Sequence, residues 1–143
     1  MATRADRADL GALLNRLLVQ VRTREEPILA AHNLSMWDYV VLTVLVDTAA
    51  PTQAELARTT GRDKTRLIGN LDRLEGLQLV RRSPAPADRR NHIITITPAG
   101  RSLHVRCRRA IRAMESELLA NLPAARRDRL LDDLTTVSPP SAR

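Results

Sequence analysis

Between Thr52 and Thr97 two short helical patterns, with a glycine between them, run straight into two β-branched segments held apart by prolines and arginines. Thr52-Gln53-Ala54-Glu55 is a capping box, in which the hydroxyl and the carboxylate three residues on can each bond the other's backbone N–H. It opens a short helix carrying Leu56 and Ala57, which Gly61 is placed to end in a left-handed cap. From 64 to 75 the helical period resumes, with Leu67, Ile68, Leu71 and Leu74 on one face. Two short apolar-faced helices joined by a glycine-containing turn form a helix-turn-helix pattern. Residues 79–82 and 92–97 then read as strands. The connection 83–91 is too long for a tight hairpin; Pro84 and Pro86 stiffen it, and Arg89 and Arg90 tip it. A helix-turn-helix followed by a basic-tipped hairpin is a winged helix.

Helical patterns flank this unit on both sides. Leu10, Leu13, Leu14, Leu17, Leu18 and Val21 recur at spacings of three and four, predicting a helix over 9–31 that Pro27 should kink or break near Arg24. A second capping box, Ser35-Met36-Trp37-Asp38, opens a helix to about 46 with Val40, Val41, Val44 and Leu45 toward the core. Pro98 and Gly100 precede a long helix over 99–121 whose stripe is Leu103, Cys107, Ala110, Ile111, Met114 and Leu118. A last helix over 124–137 carries Leu130, Leu131 and Leu134. The expected fold class is therefore mainly α with a small β-hairpin.

The charge is uneven. Residues 58–92 hold nine bases against four acids and residues 93–112 five against none, whereas the whole chain nets +7. A basic centre is the footprint of a polyanion-binding module. A solvated surface from an arginine-biased composition is the plainer alternative, since Lys64 is the one lysine. Trp37 and Tyr39 are the only aromatics, which argues against sheets that stack single-stranded bases. A single cysteine, Cys107, excludes an internal disulfide and an all-cysteine zinc site. Its place in an apolar stripe reads as a core thiol, with a redox sensor as the alternative. No Asp, Glu or further His between Gly100 and Ala113 joins His104 and Cys107, so no metal and no cofactor is expected. Neither a nucleophile–base pair nor a glycine-rich phosphate loop is present, so an enzyme is not expected. The stretch 39–46 is too short to span a bilayer, and residues 1–7 lack an apolar export segment. A soluble, cytoplasmic protein is the expectation.

These residues resemble the MarR family of bacterial transcriptional regulators over nearly the whole chain. The resemblance is carried by Leu34-Ser35, Thr52 through Ala57, Asp63-Lys64-Thr65, Leu71 through Glu75, the wing motif Asp88-Arg89-Arg90, and Ile96 through Gly100. It implies a homodimer built from N- and C-terminal dimerisation helices, here 1–33 and 99–137. A DNA-binding lobe at 34–98 would read a pseudo-palindromic operator, leaving 138–143 as a frayed tail. It also implies a small-molecule effector pocket, for which His32, Trp37 and Val41 are the candidates; core packing is their alternative. The apolar surface of the first and last helices independently favours a dimer. The chain departs from the family in placing Gly76 two residues before the usual glycine, where Gln78 stands, so the recognition helix is expected to end sooner.

With Leu67, Leu71 and Leu74 inward, helical geometry turns Arg62, Thr65, Arg66, Gly69 and Arg73 outward. Arg66 is the candidate for base readout through guanine O6 and N7, with Thr65 and Asn70 adjacent. Arg62, Lys64 and Arg73 are assigned to phosphates. Gly69 reflects either close backbone approach to DNA or neutral drift. Arg90 matches the family position that enters the minor groove. Asp88 either fixes the guanidinium of Arg89 or Arg90 or caps the loop. Thr52 and Gln53 start a helix whose N–H groups would face a phosphate. The expected function is that of a sequence-specific double-stranded DNA-binding regulator, a repressor relieved by an effector. The alternative is a degenerate member acting as a non-specific DNA-binding or protein-interaction factor.

Overall fold

The computed structural model describes residues 6–139. Six helices and one two-stranded hairpin follow in the order α1 (Leu10–Ala30), α2 (Met36–Asp47), α3 (Gln53–Thr60), α4 (Lys64–Gly76), β1 (Val80–Pro84), β2 (His92–Ile96), α5 (Pro98–Leu118) and α6 (Ala124–Val137). Of the expected tail, residues 140–143 lie outside the described range. No helix among the described residues is long and apolar enough to cross a membrane.

Helix α1 runs through Pro27 unbroken, so of the expected kink or break near Arg24 the break does not occur. A proline forfeits one intrahelical bond, and the turn beyond it is held by Leu29, which is 1% exposed. The helix ends where Asn33 turns left-handed at φ 58°, and the N–H of Leu34 donates back to the Leu29 carbonyl at 3.0 Å. Both capping boxes form as read. Asp38 N–H donates to Ser35 Oγ and Ser35 N–H to Asp38 Oδ2, at 3.2 and 2.8 Å. Glu55 N–H donates to Thr52 Oγ1 and Thr52 N–H to Glu55 Oε2, again at 3.2 and 2.8 Å. Gly61 takes the left-handed cap at φ 67°.

The core joins Leu67, Leu71 and Leu74 of α4 to Val41, Leu42 and Leu45 of α2, Leu56 of α3 and Leu103, Cys107 and Ile111 of α5. Val40 and Val44, expected among the core face of α2, are only half-buried, and Leu42 takes the buried place. In α5, His104 joins Cys107 in the interior; its Nε2 lies 3.0 Å from Thr43 Oγ1, and its ring stacks on Tyr39 at 5.2 Å between centroids. Burial pushes the His104 pKa down, and Arg108 adds to that shift. Burial likewise pushes the Cys107 thiol up, disfavouring the reactive thiolate.

The early glycine does not shorten the recognition helix. Gly76 is the last residue of α4, and the left-handed turn falls on Gln78 at φ 58°. An L side chain there is disfavoured by roughly 1–2 kcal/mol. Gln78→Gly is therefore expected to raise unfolding stability by about 1 kcal/mol in urea titration. A lowered midpoint would rule out backbone strain at that turn.

The hairpin is antiparallel, from Val80 opposite Ile96 to Pro84 opposite His92. It is stitched to the chain before α3, where Ile94 N–H donates to the Pro51 carbonyl at 2.9 Å. Arg82 of β1 ties the wing to α4 by ion pairs with Asp72 and with Glu75, the latter at 2.8 Å.

Candidate nucleic-acid interface

The basic side chains assigned to DNA fall on α4, the turn before it and the loop 85–91. Thr65, Arg66, Gly69 and Arg73 are all exposed, as are Lys64, Asp88, Arg89 and Arg90. Asp63 caps α4 by accepting from the Arg66 N–H at 3.1 Å. Its other oxygen lies 3.3 Å from Arg66 Nε, a surface pair weak enough to yield to a stronger acceptor.

Asn70 does not belong to this exposed set. It is buried, and its Nδ2 donates to Asp38 Oδ1 at 2.7 Å while its Oδ1 accepts from Arg62 Nε at 3.2 Å. The α2-facing edge of α4 carries it inward, next to a carboxylate whose position helical periodicity alone does not disclose. Arg62 also lies over Trp37, 4.5 Å from guanidinium carbon to ring centroid. Arg73 Nη2 donates to Asp38 Oδ2 at 3.2 Å and to the Asn33 carbonyl at 2.8 Å. Asp38 is itself wholly buried, and Ser35, Asn70 and Arg73 all donate to its carboxylate. The arginines assigned to phosphates thus also brace the recognition helix against the start of α2. The signal in the sequence was Asp38 itself, an acid that capping alone did not require to be buried.

In the wing, Asp88 caps the loop. Its Oδ1 accepts from the Arg90 backbone N–H at 3.0 Å, and its carbonyl accepts from the Asn91 N–H at 3.0 Å. Of the two readings for Asp88, the described ion pairs contain no guanidinium partner for it and favour the cap. Its turn presents Arg89 and Arg90 together at the tip. Thr52 and Gln53 are half-buried. The capping box occupies the N–H groups of Thr52 and Glu55, so a phosphate at that end would meet those of Gln53 and Ala54 beside the Glu55 carboxylate.

The three effector-pocket candidates lie in different surroundings. Val41 is fully buried in the core, Trp37 faces Arg62, and His32 is half-buried at the end of α1. A cavity of about 300 Å³ opens instead between α1 and the start of α2, lined by Arg22, Glu25, Glu26, Leu29, Leu34 and Met36. Burial raises the Glu25 pKa, and the nearby Glu115 adds to it against the opposing effect of Arg22. Three of these residues are charged ones of a helix whose sequence advertised only its leucine stripe.

A helix-turn-helix whose second helix bears a cationic outer face, with an arginine-tipped wing beside it, defines a DNA-binding regulator of the winged-helix class. Residues 32–91 match the MarR family model. The HTH-type transcriptional repressor Rv2887 of Mycobacterium tuberculosis is 31% identical over 120 residues, covering 84% of this chain and 86% of that protein. The chain therefore belongs to the MarR family, a family of transcriptional regulators rather than enzymes. The HTH-type transcriptional repressor NicR of Pseudomonas putida is 37% identical over 70 residues, 49% of this chain, and the match spans 44% of NicR's own length. The repressor CouR bound to a 23-mer DNA duplex superposes with a TM-score of 0.79 at 32% identity, over 90% of this chain and 92% of that one. CouR of Rhodococcus jostii RHA1 bound to p-coumaroyl-CoA superposes with a TM-score of 0.76 at 26% identity, over 100% and 99% of the two chains.

Proposed function

We propose that the protein is a homodimeric repressor that releases its operator when a small molecule binds. Each lobe, residues 34–98, lays α4 in the major groove of one half-site and sends Arg90 into the adjoining minor groove. The observation that carries this reading is the set of exposed basic side chains on α4 and the wing, with α4 tied to α2 through Asp38 and to the wing through Arg82. Leu10, Leu13, Leu14 and Leu18 expose an apolar stripe along α1, and Leu131 and Val137 are exposed on α6, which supports these helices as the surface a second copy covers. The relatives' description as repressors supports the sign of regulation.

The cavity supports the effector. Leu34 and Met36 in its wall flank Ser35, whose N–H donates to Asp38, and Asp38 in turn holds Asn70 and Arg73 of α4. A ligand that displaces this segment reaches the recognition helix through one carboxylate. Such a ligand shifts the operator equilibrium only by its differential affinity for the two lobe arrangements.

Fluorescence anisotropy on the DNA upstream of the protein's own gene, with a scrambled duplex alongside, tests the reading. A preference of roughly a thousandfold at near-physiological salt is expected. Arg90→Ala should weaken operator binding by about 1–3 kcal/mol per lobe. Equal binding to both duplexes, followed by failure of a genomic selection to enrich any site, would overturn the assignment.

A further inference from the structure

We infer that α4 reads thymine methyl groups through an apolar strip formed by Thr65, Ile68 and Gly69, beside the Arg66 guanidinium. The inference rests on the function proposed above and specifies what the recognition helix recognises.

Both edges of α4 are committed within the protein. On the edge toward α2, Asn70 is buried against Asp38, Arg62 lies over Trp37, and Arg73 is paired with Asp38. On the edge toward the wing, Asp72 and Glu75 hold Arg82. The exposed surface left on the first two turns consists of Lys64, Thr65, Arg66, Ile68 and Gly69. Residues 65, 68 and 69 stand in i, i+3, i+4 relation and so form one contiguous patch.

Ile68 is 40% exposed, although its spacing from Leu67 and Leu71 reads as core. The other exposed large apolar side chains lie on α1, α5 and α6, apart from Leu77 just past the end of α4. Ile68 is therefore the one on the groove-facing turns among the described residues. Beside it, a Cβ built on Gly69 would meet nothing within 4 Å. The fold does not require a glycine there, and in a helix interior it costs about 1 kcal/mol relative to alanine. Its bare backbone leaves the flank of Ile68 open to an incoming surface. In the major groove thymine alone among the bases presents a methyl group, and an aliphatic side chain is its natural contact. With Asp72 and Glu75 both paired to Arg82, an apolar strip flanked by Lys64 and Arg66 can reach the base edges without presenting an unpaired carboxylate to the phosphates.

The test begins with a duplex recovered by selection from a random pool on the full chain. Each thymidine in a half-site is then replaced singly by deoxyuridine, which removes only the methyl group, and affinity is read by anisotropy. One or two positions per half-site should lose about fourfold, the worth of one buried methyl-sized group. Ile68→Ala should lose that thymidine–deoxyuridine discrimination, and Ile68→Val should keep part of it. Each variant is compared with itself on two duplexes differing by a methyl group, so lowered stability does not imitate the result. A preferred duplex indifferent to every such replacement overturns the inference alone, as does unchanged discrimination in Ile68→Ala. Recovery of no preferred duplex overturns the sequence-specific reading and the inference with it.

Discussion

Gly100→Ala is expected to cost about 3 kcal/mol or more of folding stability, near the top of the usual range for overpacked sites. A Cβ on Gly100 would lie 2.2 Å from the Leu79 carbonyl oxygen and 2.8 Å from Ile96 Cγ1. The first obstacle is backbone, and it is already engaged: the Leu79 carbonyl accepts from Thr97 N–H at 3.0 Å. Thr97 Oγ1 meanwhile accepts from Gly100 N–H at 3.0 Å and donates to the Gln78 carbonyl at 2.7 Å. The first turn of α5 is thus buckled onto the end of α4, and relief requires moving one helix against the other. Helix propensity alone favours alanine by about 1 kcal/mol, so the contact decides the sign. Gly69→Ala, where the same atom meets open space, is the matched control and should be neutral or stabilising. Urea unfolding followed by circular dichroism, at one protomer concentration for all variants, separates the two. Equal or higher stability for Gly100→Ala would refute the close approach. Because α5 joins the DNA-binding lobe to the proposed dimer surface, the same variant should also disturb half-site spacing.

That glycine shows what could be read from sequence and what could not. Its place after Thr97 and Pro98 suggested only punctuation before a helix, because close approach to a backbone carbonyl leaves no trace in periodicity. Local rules transferred well. Both capping boxes, the Gly61 turn, the Leu67–Leu71–Leu74 face and the hairpin all depend on residues within a few positions of one another. Several of the readings that changed involve polar side chains whose partners are distant in sequence. Asn70 turns inward because Asp38, 32 positions earlier, lies under it. His104 reads as one more polar residue of an arginine-rich helix, yet it is buried because Thr43, 61 positions away, offers it a hydrogen bond. Pro27 leaves α1 intact because packing of the following turn outweighs one lost backbone bond. For the DNA surface, spacing correctly turned Thr65, Arg66 and Gly69 outward. It could not reveal that Arg62 and Arg73 are already engaged by Asn70, Trp37 and Asp38.

Asp38→Ala is the second large effect, expected at about 2–4 kcal/mol, the cost of an unpaired buried donor together with a lost helix cap. The carboxylate is wholly buried and accepts from three donors on two segments: the Ser35 N–H that starts α2, and the Asn70 amide and Arg73 guanidinium of α4. Truncation leaves the buried Asn70 amide without its acceptor and removes half of the capping box, while Arg73, still half open to solvent, loses least. Asp38→Asn keeps the volume and one acceptor oxygen, so it should fall between wild type and alanine in urea unfolding. A change below about 1 kcal/mol for Asp38→Ala would mean the network contributes little. The DNA measurement separates bracing from mere stability. At a temperature where the variant is still folded, preference for the operator should fall because α4 is no longer fixed against α2. Binding to a scrambled duplex should persist with its salt dependence, since the charges of Arg89 and Arg90 stand on a loop that Asp38 does not touch. If both kinds of binding fell together, Asp38 would be holding the lobe together rather than aiming its recognition helix.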